Sequence, residues 1–553
     1  MKSLTQYILM LLIIPNLLLS CNNFSQPSGP ETEDVNSAED PSGEIMEETP
    51  EAASEIEFIT TAEEIREQIG KDEKESEAKK FYEQRSHAPA WNKPEARTAF
   101  LEELQKADSE GLFLKDYYSD EIEELLKTPA ELKGSETARL DFLLTEAFFS
   151  YAHDLYYGKL NPKDLYKTWG VSRKKMDLQR LLQENLETGT IAEALDSLKP
   201  KHQIYRDLKR SLEEYSELRE KEEAHEKIAE GEFIKAGEKD ERLSSIAKRL
   251  QNLGFLSENV ADSTYNDRLQ EAIKKFQKEK GLQVDGIIGN STIAELNMTA
   301  EQRYGQILAN LERWRWYPRD LGDHYILINI PQFRLAVVKD GDTVRTHNII
   351  AGTRARQTPT FTDTLQYVVI NPTWTIPPTI KTSDIIPKVS RNPSYLSSKN
   401  MKVYSRDGTL IDPQKIDWSS PKAKSYTIVQ RAGPSNPLGQ VKIIYPNQYL
   451  IYLHDTPAQN LFSQNQRAES SGCVRVENAV DLSGYVLRDQ EAWNEEKIRE
   501  TIASGKTIQV KINQPIQVHH FYWTAWRAGD KTVFTEDVYR LDKEIYSRLL
   551  KRD

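Results

Sequence analysis

Tyr449-Leu450-Ile451-Tyr452-Leu453-His454-Asp455-Thr456-Pro457, and beyond it the turn Ser470-Ser471-Gly472-Cys473-Val474-Arg475-Val476, carry the reading of this chain, with Cys473 nineteen residues after His454. The run from Tyr449 to Leu453 is apolar, aromatic and β-branched, which is a strand signature. Asp455-Thr456-Pro457 halts it, since proline has no N–H to give a sheet ladder. His454 is therefore expected at a strand end. Gly472 marks a tight turn with Cys473 at its exit, and Asn478 is placed to cap a helix with Asp481 in its first turn. A thiol, an imidazole and turn amides supply a nucleophile, a base and oxyanion donors, the set that acyl transfer requires. An imidazolium beside the sulfur is expected to lower its pKa. The same ring can return a proton to a leaving amine. Taken alone, the pair leaves open a structural cysteine with an unrelated histidine.

Around this centre the texture is β. Ile326, Ile328 and Ile330 alternate, as do Phe333, Leu335 and Val337, and Asp340-Gly341 supplies a hairpin turn. Tyr367–Ile370 and Val441–Tyr445 read as further strands. Residues 380–425 show weak periodicity and many breakers, so a mobile flap is expected there. Gln517–Trp526 and Lys531–Tyr539 read as a final hairpin, followed by a helix. Residues from about 75 to 235 read helical: Phe100, Leu101, Leu104 and Ala107 repeat at helical spacing, and Leu140 to Tyr151 form a dense apolar stripe. Arg206 to Lys239 reads as a charged amphipathic connector. Between 240 and 298, two helical patterns around Ile246-Leu250 and Leu269-Phe276 precede the glycine-punctuated Asp285-Gly286-Ile287-Ile288-Gly289. Thr292 to Glu295 offers a capping-box start for a third helix.

Two cysteines occur in 553 residues. Cys21 closes Leu18-Leu19-Ser20-Cys21 after an apolar run behind Lys2, the anatomy of a secretory signal. From Asn22 to Ile65 there is no Lys or Arg, and the acidic, Pro- and Ser-rich composition predicts a disordered tether. The net charge of −13 excludes a nucleic-acid partner on electrostatic grounds. Neither a phosphate loop nor metal-ligand spacing is evident, and His519-His520 would point to opposite strand faces; no cofactor is expected.

Leu18-Leu19-Ser20-Cys21 resembles a bacterial lipobox, which implies cleavage before Cys21 and lipidation of its thiol. Phe276-Gln277 with Asp285–Gly289 resembles the small three-helix peptidoglycan-binding module of cell-wall enzymes. His454-Asp455-Thr456 and Ser471-Gly472-Cys473-Val474-Arg475 closely resemble the L,D-transpeptidase signature. Asn371–Pro378 and Arg431–Gly439 are similar to the substrate-cleft segments of the long, periplasmic members. Shorter members have His where Ser471 stands. The resemblance implies a multidomain α+β chain: signal peptide 1–20, tether 21–65, helical scaffold domain 66–239, peptidoglycan-binding module 240–298, mostly β catalytic domain 299–515, and C-terminal hairpin and helix 516–553. It implies Cys473 as nucleophile and His454 as base then acid, with the turn at Ser471 and Gly472 forming the oxyanion hole. Substrate contacts are expected at Arg475, Tyr452, Trp374, Asn436 and Gly439. The substrate it implies is a peptidoglycan tetrapeptide stem, cross-linked to a second stem between diaminopimelates. The setting is the periplasmic cell envelope, on a lipid anchor, with other cell-wall enzymes as further partners and a role in cell shape. An L,D-carboxypeptidase with the same nucleophile and a non-enzymatic, lipid-anchored wall-binding protein are the alternatives.

Overall fold

A computed structural model describes residues 59–71, 74–127, 132–172, 175–222, 225–257 and 263–551. The expected signal peptide, Cys21 and nearly all of the tether lie outside the described residues. Where the tether was expected to end, Ala62–Lys71 is already helical and Ile65 is fully buried. Among the described residues no helix is long and apolar enough to cross a membrane.

Four apolar clusters organise the chain. The first helical region is built on Ser135–Tyr157, whose Phe142, Phe148, Tyr151 and Leu155 are buried together with Trp91 and Phe100. Its polar hub is Asp141, which accepts from the main-chain N–H groups of Ala90 and Trp91 and from the Tyr82 hydroxyl at 2.5 Å. A buried carboxylate is tolerated only with such a full set of donors. The unit near 240–298 has helices at Leu243–Asn252, Asp267–Glu279 and Asn290–Leu296. The third begins earlier than the capping-box expectation. Thr292 is buried inside it, where its hydroxyl accepts from Gln277 Nε2, and Gln277 Oε1 accepts from Gly286 N–H.

The region expected to be the mostly β domain from 299 opens instead on a helix, Ala300–Trp316. Every residue from Arg303 to Trp316 is buried, so there is no polar face and no amphipathic period to read. It carries the buried pairs Arg315–Glu312 (2.8 Å) and Arg313–Asp542 (2.6 Å). Glu312 also accepts from the Leu160 N–H of the helical region at 2.8 Å.

Ten strands of the catalytic region are labelled in chain order: β1 His324–Asn329, β2 Arg334–Lys339, β3 Asp342–Gly352, β4 Thr360–Thr364, β5 Tyr367–Ile370, β6 Val441–Ile444, β7 Leu453–His454, β8 Val474–Val476, β9 Ile508–Lys511 and β10 Gln517–Phe521. Their order is β4-β10-β1-β2-β3-β8-β7-β6-β5-β9. Asp340 (φ 52°) and Gly341 (φ 89°) form the two-residue turn between β2 and β3. The spine is β3, which pairs with β2 at its start and with β8 through Ile349 and Ile350. The expected terminal hairpin is shorter, Ala525–Ala528 with Lys531–Phe534. Gln517–Phe521 instead lies between β1 and β4, parallel to β1. The C-terminal segment thus completes the catalytic sheet, and its run of buried residues reflects cover on both faces.

The expected loop at 380–425 is a small folded subdomain. Ile376, Val389, Leu396, Val403, Trp418 and Ile428 bury one another, and Trp374–Thr375, Met401–Tyr404, Leu410–Ile411 and Thr427–Gln430 form a separate sheet. Its elements run for two to six residues, too few for a period to show in sequence.

Candidate active site

The register places the chemistry. On parallel neighbours, Leu453 pairs with Val474 and His454 with Arg475, while Lys442 of β6 pairs with His454 from the other side. Paired residues share a face, and i, i+2 residues of a strand do too. Tyr452, His454, Cys473, Arg475 and Lys442 therefore face one way, while Leu453, Val474 and Ile443 are buried in the core on the other. Cys473 and His454 are diagonal neighbours on adjacent strands.

The turn that carries Cys473 is held from below. Gly472 has φ 113°, a left-handed region where a Cβ is strained. Ser470 Oγ donates to Cys473 O at 2.6 Å and accepts from Gly472 N–H at 3.1 Å. Thr358 Oγ1 donates to Gly472 O at 2.8 Å. The Tyr539 hydroxyl braces the same loop, donating to Gly352 O and accepting from Thr358 N–H. Gly472 N–H is thus already engaged. The Cys473 N–H has no acceptor among the described residues, so it is the main-chain donor left for an oxyanion at this turn. Ser470, Thr358 and Tyr539 could not be found from sequence, because two of the three lie far from the motif and meet it only in the fold.

His454 is 5% exposed, and its Nδ1–H donates to the Asp455 carbonyl at 2.5 Å. A carbonyl can only accept, so the Nε2 lone pair is left for a proton. Asp455 orients the ring through its main chain; its carboxylate instead accepts from Gln440 N–H at 2.8 Å. Burial, with Arg475 and Lys442 nearby, pushes the His454 pKa down to about 3. Burial pushes the Cys473 thiol up, opposed by hydrogen bonds from Tyr452 and by the Lys442 and Arg475 charges. The expected thiolate–imidazolium pair is therefore a thiol beside a neutral imidazole in this state, because desolvation outweighs the neighbouring cations. The Cys473 Sγ–H points to Leu450 O at 3.7 Å, with no hydrogen bond to the His454 ring. Leu450 adopts φ 58° and is fixed by Asn447, whose Oδ1 accepts from the N–H groups of Tyr449 and Ile451.

The other expected contacts divide. Tyr452 borders the sulfur, its ring 5.6 Å from that of His454, and Trp374 of the flap lies near its hydroxyl. Arg475 is half-buried and has no hydrogen bond or ion pair among the described residues. Asn436 is fully buried, with its Nδ2 donating to Pro372 O and Arg431 O and its Oδ1 accepting from Leu438 N–H. At Gly439 (φ 60°) a Cβ would collide with the Asp455 side chain. Both residues are accounted for by bracing the Arg431–Gly439 loop. Asn478 stands before helix Ala479–Val486 in a left-handed conformation and its side chain caps nothing; Asp481 pairs with Arg345 at 2.9 Å instead. Lys442 went unnoticed, since only the register reveals it.

Ser471 links the turn to the flap. Arg356 Nη1 donates to Ser471 Oγ at 3.0 Å, and its guanidinium grips Asp384 of the flap in a two-point pair at 2.7 and 2.9 Å. Each partner is about one-third exposed, so the pair is worth at most about 1 kcal/mol. Asp384→Asn is expected to speed amide hydrogen exchange across 378–391 by up to about fivefold with little change in melting temperature. Unchanged exchange would mean that the flap docks without this pair.

Residues 76–212 match the family described as "Scaffold domain", residues 239–296 the "Putative peptidoglycan binding domain", and residues 323–510 the "L,D-transpeptidase catalytic domain". A Haemophilus influenzae protein described as "Putative L,D-transpeptidase" is 36% identical over 220 residues, which are 40% of this chain and 45% of that protein. The chain thus spans under half the length of that relative. Among solved structures, an L,D-transpeptidase from Xylanimonas cellulosilytica is 16% identical over 53% of this chain and 99% of its own, with a TM-score of 0.17. One from Mycobacterium smegmatis is 16% identical over 36% and 58%, with a TM-score of 0.18; nothing below rests on these two. Residues 323–510 thus match an L,D-transpeptidase catalytic domain, preceded in the chain by matches to a scaffold domain and a peptidoglycan-binding domain.

Proposed function

We propose that this chain cross-links peptidoglycan through a thioester on Cys473. The carrying observation is the row Lys442–His454–Arg475 on one sheet face, with Cys473 and Tyr452 on that same face. The thiol turns from Leu450 O toward His454, and Nε2 takes its proton as sulfur attacks the carbonyl at the L-centre of diaminopimelate. The oxyanion faces the Cys473 N–H. Collapse breaks the C–N bond, and His454 gives the proton to the departing D-alanine amine. The side-chain amine of a second stem then attacks the thioester, His454 takes its proton, and the released sulfur recovers it as thiol. Arg475, unpaired and half-buried, holds a substrate carboxylate.

The match of residues 323–510 to the L,D-transpeptidase catalytic domain supports transpeptidase activity in general; diaminopimelate as donor and acceptor is part of the proposal, as are lipid anchoring at Cys21 and a place in the periplasm. Incubation with tetrapeptide-rich muropeptides is expected to give dimers, resolved by mass. Tripeptides alone would establish the carboxypeptidase reading instead. A carbapenem is expected to add its mass to the intact protein but not to Cys473→Ala. No adduct on either would favour the purely wall-binding reading.

A further inference from the structure

Two cations flank the catalytic imidazole, and only Arg475 shares a strand with the nucleophile. Lys442 stands on β6, across His454 from β8. Its Nζ lies 3.8 Å from the centroid of the Tyr452 ring, and among the described residues no carboxylate or other acceptor bonds it. The side chain is half-buried. An ammonium withdrawn from water without a counter-ion is unfavourable, so an occupied site that supplies an anion resolves the imbalance. Burial accordingly lowers the Lys442 pKa.

The chemistry says which anion arrives there. His454 must hand its proton to the amine of the residue being expelled. In a terminal α-amino acid that nitrogen and the free carboxylate are attached to the same carbon. When the nitrogen reaches the imidazole, the carboxylate comes to lie beside the ring. Arg475 lies on β8, the strand that Cys473 leads into, and Lys442 borders the ring from the opposite side, away from the nucleophile's strand.

We propose that Lys442 is a specificity-determining residue that pairs with the free carboxylate of the expelled terminal residue. The site would then select stems that end one residue beyond the scissile bond and reject amidated or longer ones. This inference rests on the transpeptidase reading above and names the group that reading leaves unrecognised.

The test compares a tetrapeptide donor bearing a free terminal carboxylate with the same donor amidated, using the full chain and its Lys442→Met and Lys442→Arg variants. Wild type is expected to prefer the acid by about tenfold or more in kcat/KM. Lys442→Met should lose about that factor more on the acid than on the amide, chiefly through KM, while Lys442→Arg keeps most of the preference. Equal loss on both donors, or a preference that survives Lys442→Met, overturns the assignment. Alkylation of Cys473 by iodoacetamide supplies a second readout. A slowdown in Lys442→Met much smaller than the catalytic loss supports carboxylate recognition, and a slowdown matching that loss assigns the charge to the thiolate and overturns it. Wild-type turnover without acid preference sinks this inference alone, whereas no turnover of either donor sinks the transpeptidase reading beneath it.

Discussion

Cys473→Ala is expected to abolish thioester formation and lower turnover by about four orders of magnitude or more, since no second nucleophile can replace a removed one. His454→Ala should cost less, about 10²- to 10⁴-fold, the usual contribution of a positioned base. Both should fold. Cys473 sits on a surface turn whose conformation is set by Gly472, Ser470 and Thr358. The pH profile tests the neutral-pair finding. With the imidazole pKa at about 3 and the thiol raised by burial, the base is ready throughout the neutral range. The kcat/KM profile should therefore lack an acid limb near 6.5 and should stay level or rise toward high pH. A thiolate–imidazolium pair would instead lose activity on the alkaline side, as the imidazolium gives up the proton that the leaving amine needs. A bell with a falling alkaline limb near 8 would restore the ion-pair picture.

The difference between these pictures shows where sequence reading stops. The placement of His454 at a strand end and Cys473 at a turn is legible, because a strand stopped by Asp455-Thr456-Pro457 and a turn at Gly472 are local events; their roles come from the resemblance to the L,D-transpeptidase signature. Protonation states depend on burial by segments far along the chain, such as β6 and β3, and no local pattern encodes that. The alternating strands around Ile326 and Leu335 were legible because each packs one face on the core. The helix Ala300–Trp316 was not, since it is buried on all sides. Asn436 and Gly439 are expected substrate contacts only through the resemblance of Arg431–Gly439 to a cleft segment, and their identities answer to Asp455 and to the carbonyls of Pro372 and Arg431. Lys442 drew none, because a lysine within Val441–Tyr445 looks like an ordinary solvent-facing position until β6 is set beside β7.

Acid should weaken this fold well above the range where carboxylates protonate. Burial holds three histidines neutral: His454 and His520 with pKa values of about 3, and His519 of about 4. His519 and His520 lie on β10 in the catalytic sheet. His519 Nε2–H donates to Leu321 O and its Nδ1 faces Thr362 Oγ1, both at 3.0 Å. His520 Nε2 meets the Tyr445 hydroxyl at 2.8 Å, and its ring stacks on Phe361 at 4.5 Å. None of the three can take a proton without charging the interior. In the unfolded chain each titrates near 6.5. Below that pH the unfolded state binds protons that the folded state refuses, so the stability these groups confer is complete above 6.5 and is lost as pH falls toward 4. Each contributes a slope of about 1.4 kcal/mol per pH unit, roughly 4 for the three together. Burial lowers His202, His324 and His347 in the same sense, while Asp542, raised to about 6, and Asp141, Glu312, Asp363 and Glu536, also raised by burial, work in the opposite direction. The melting temperature should therefore drop steeply between pH 6 and 4. In His520→Gln, which keeps a donor toward Tyr445 without a titrating ring, the stability slope should shrink by the share of one imidazole, about 1.4 kcal/mol per pH unit. A melting temperature level down to pH 4.5 would mean that these rings take up protons in the folded state, and the neutral imidazole assigned to His454 would go with them.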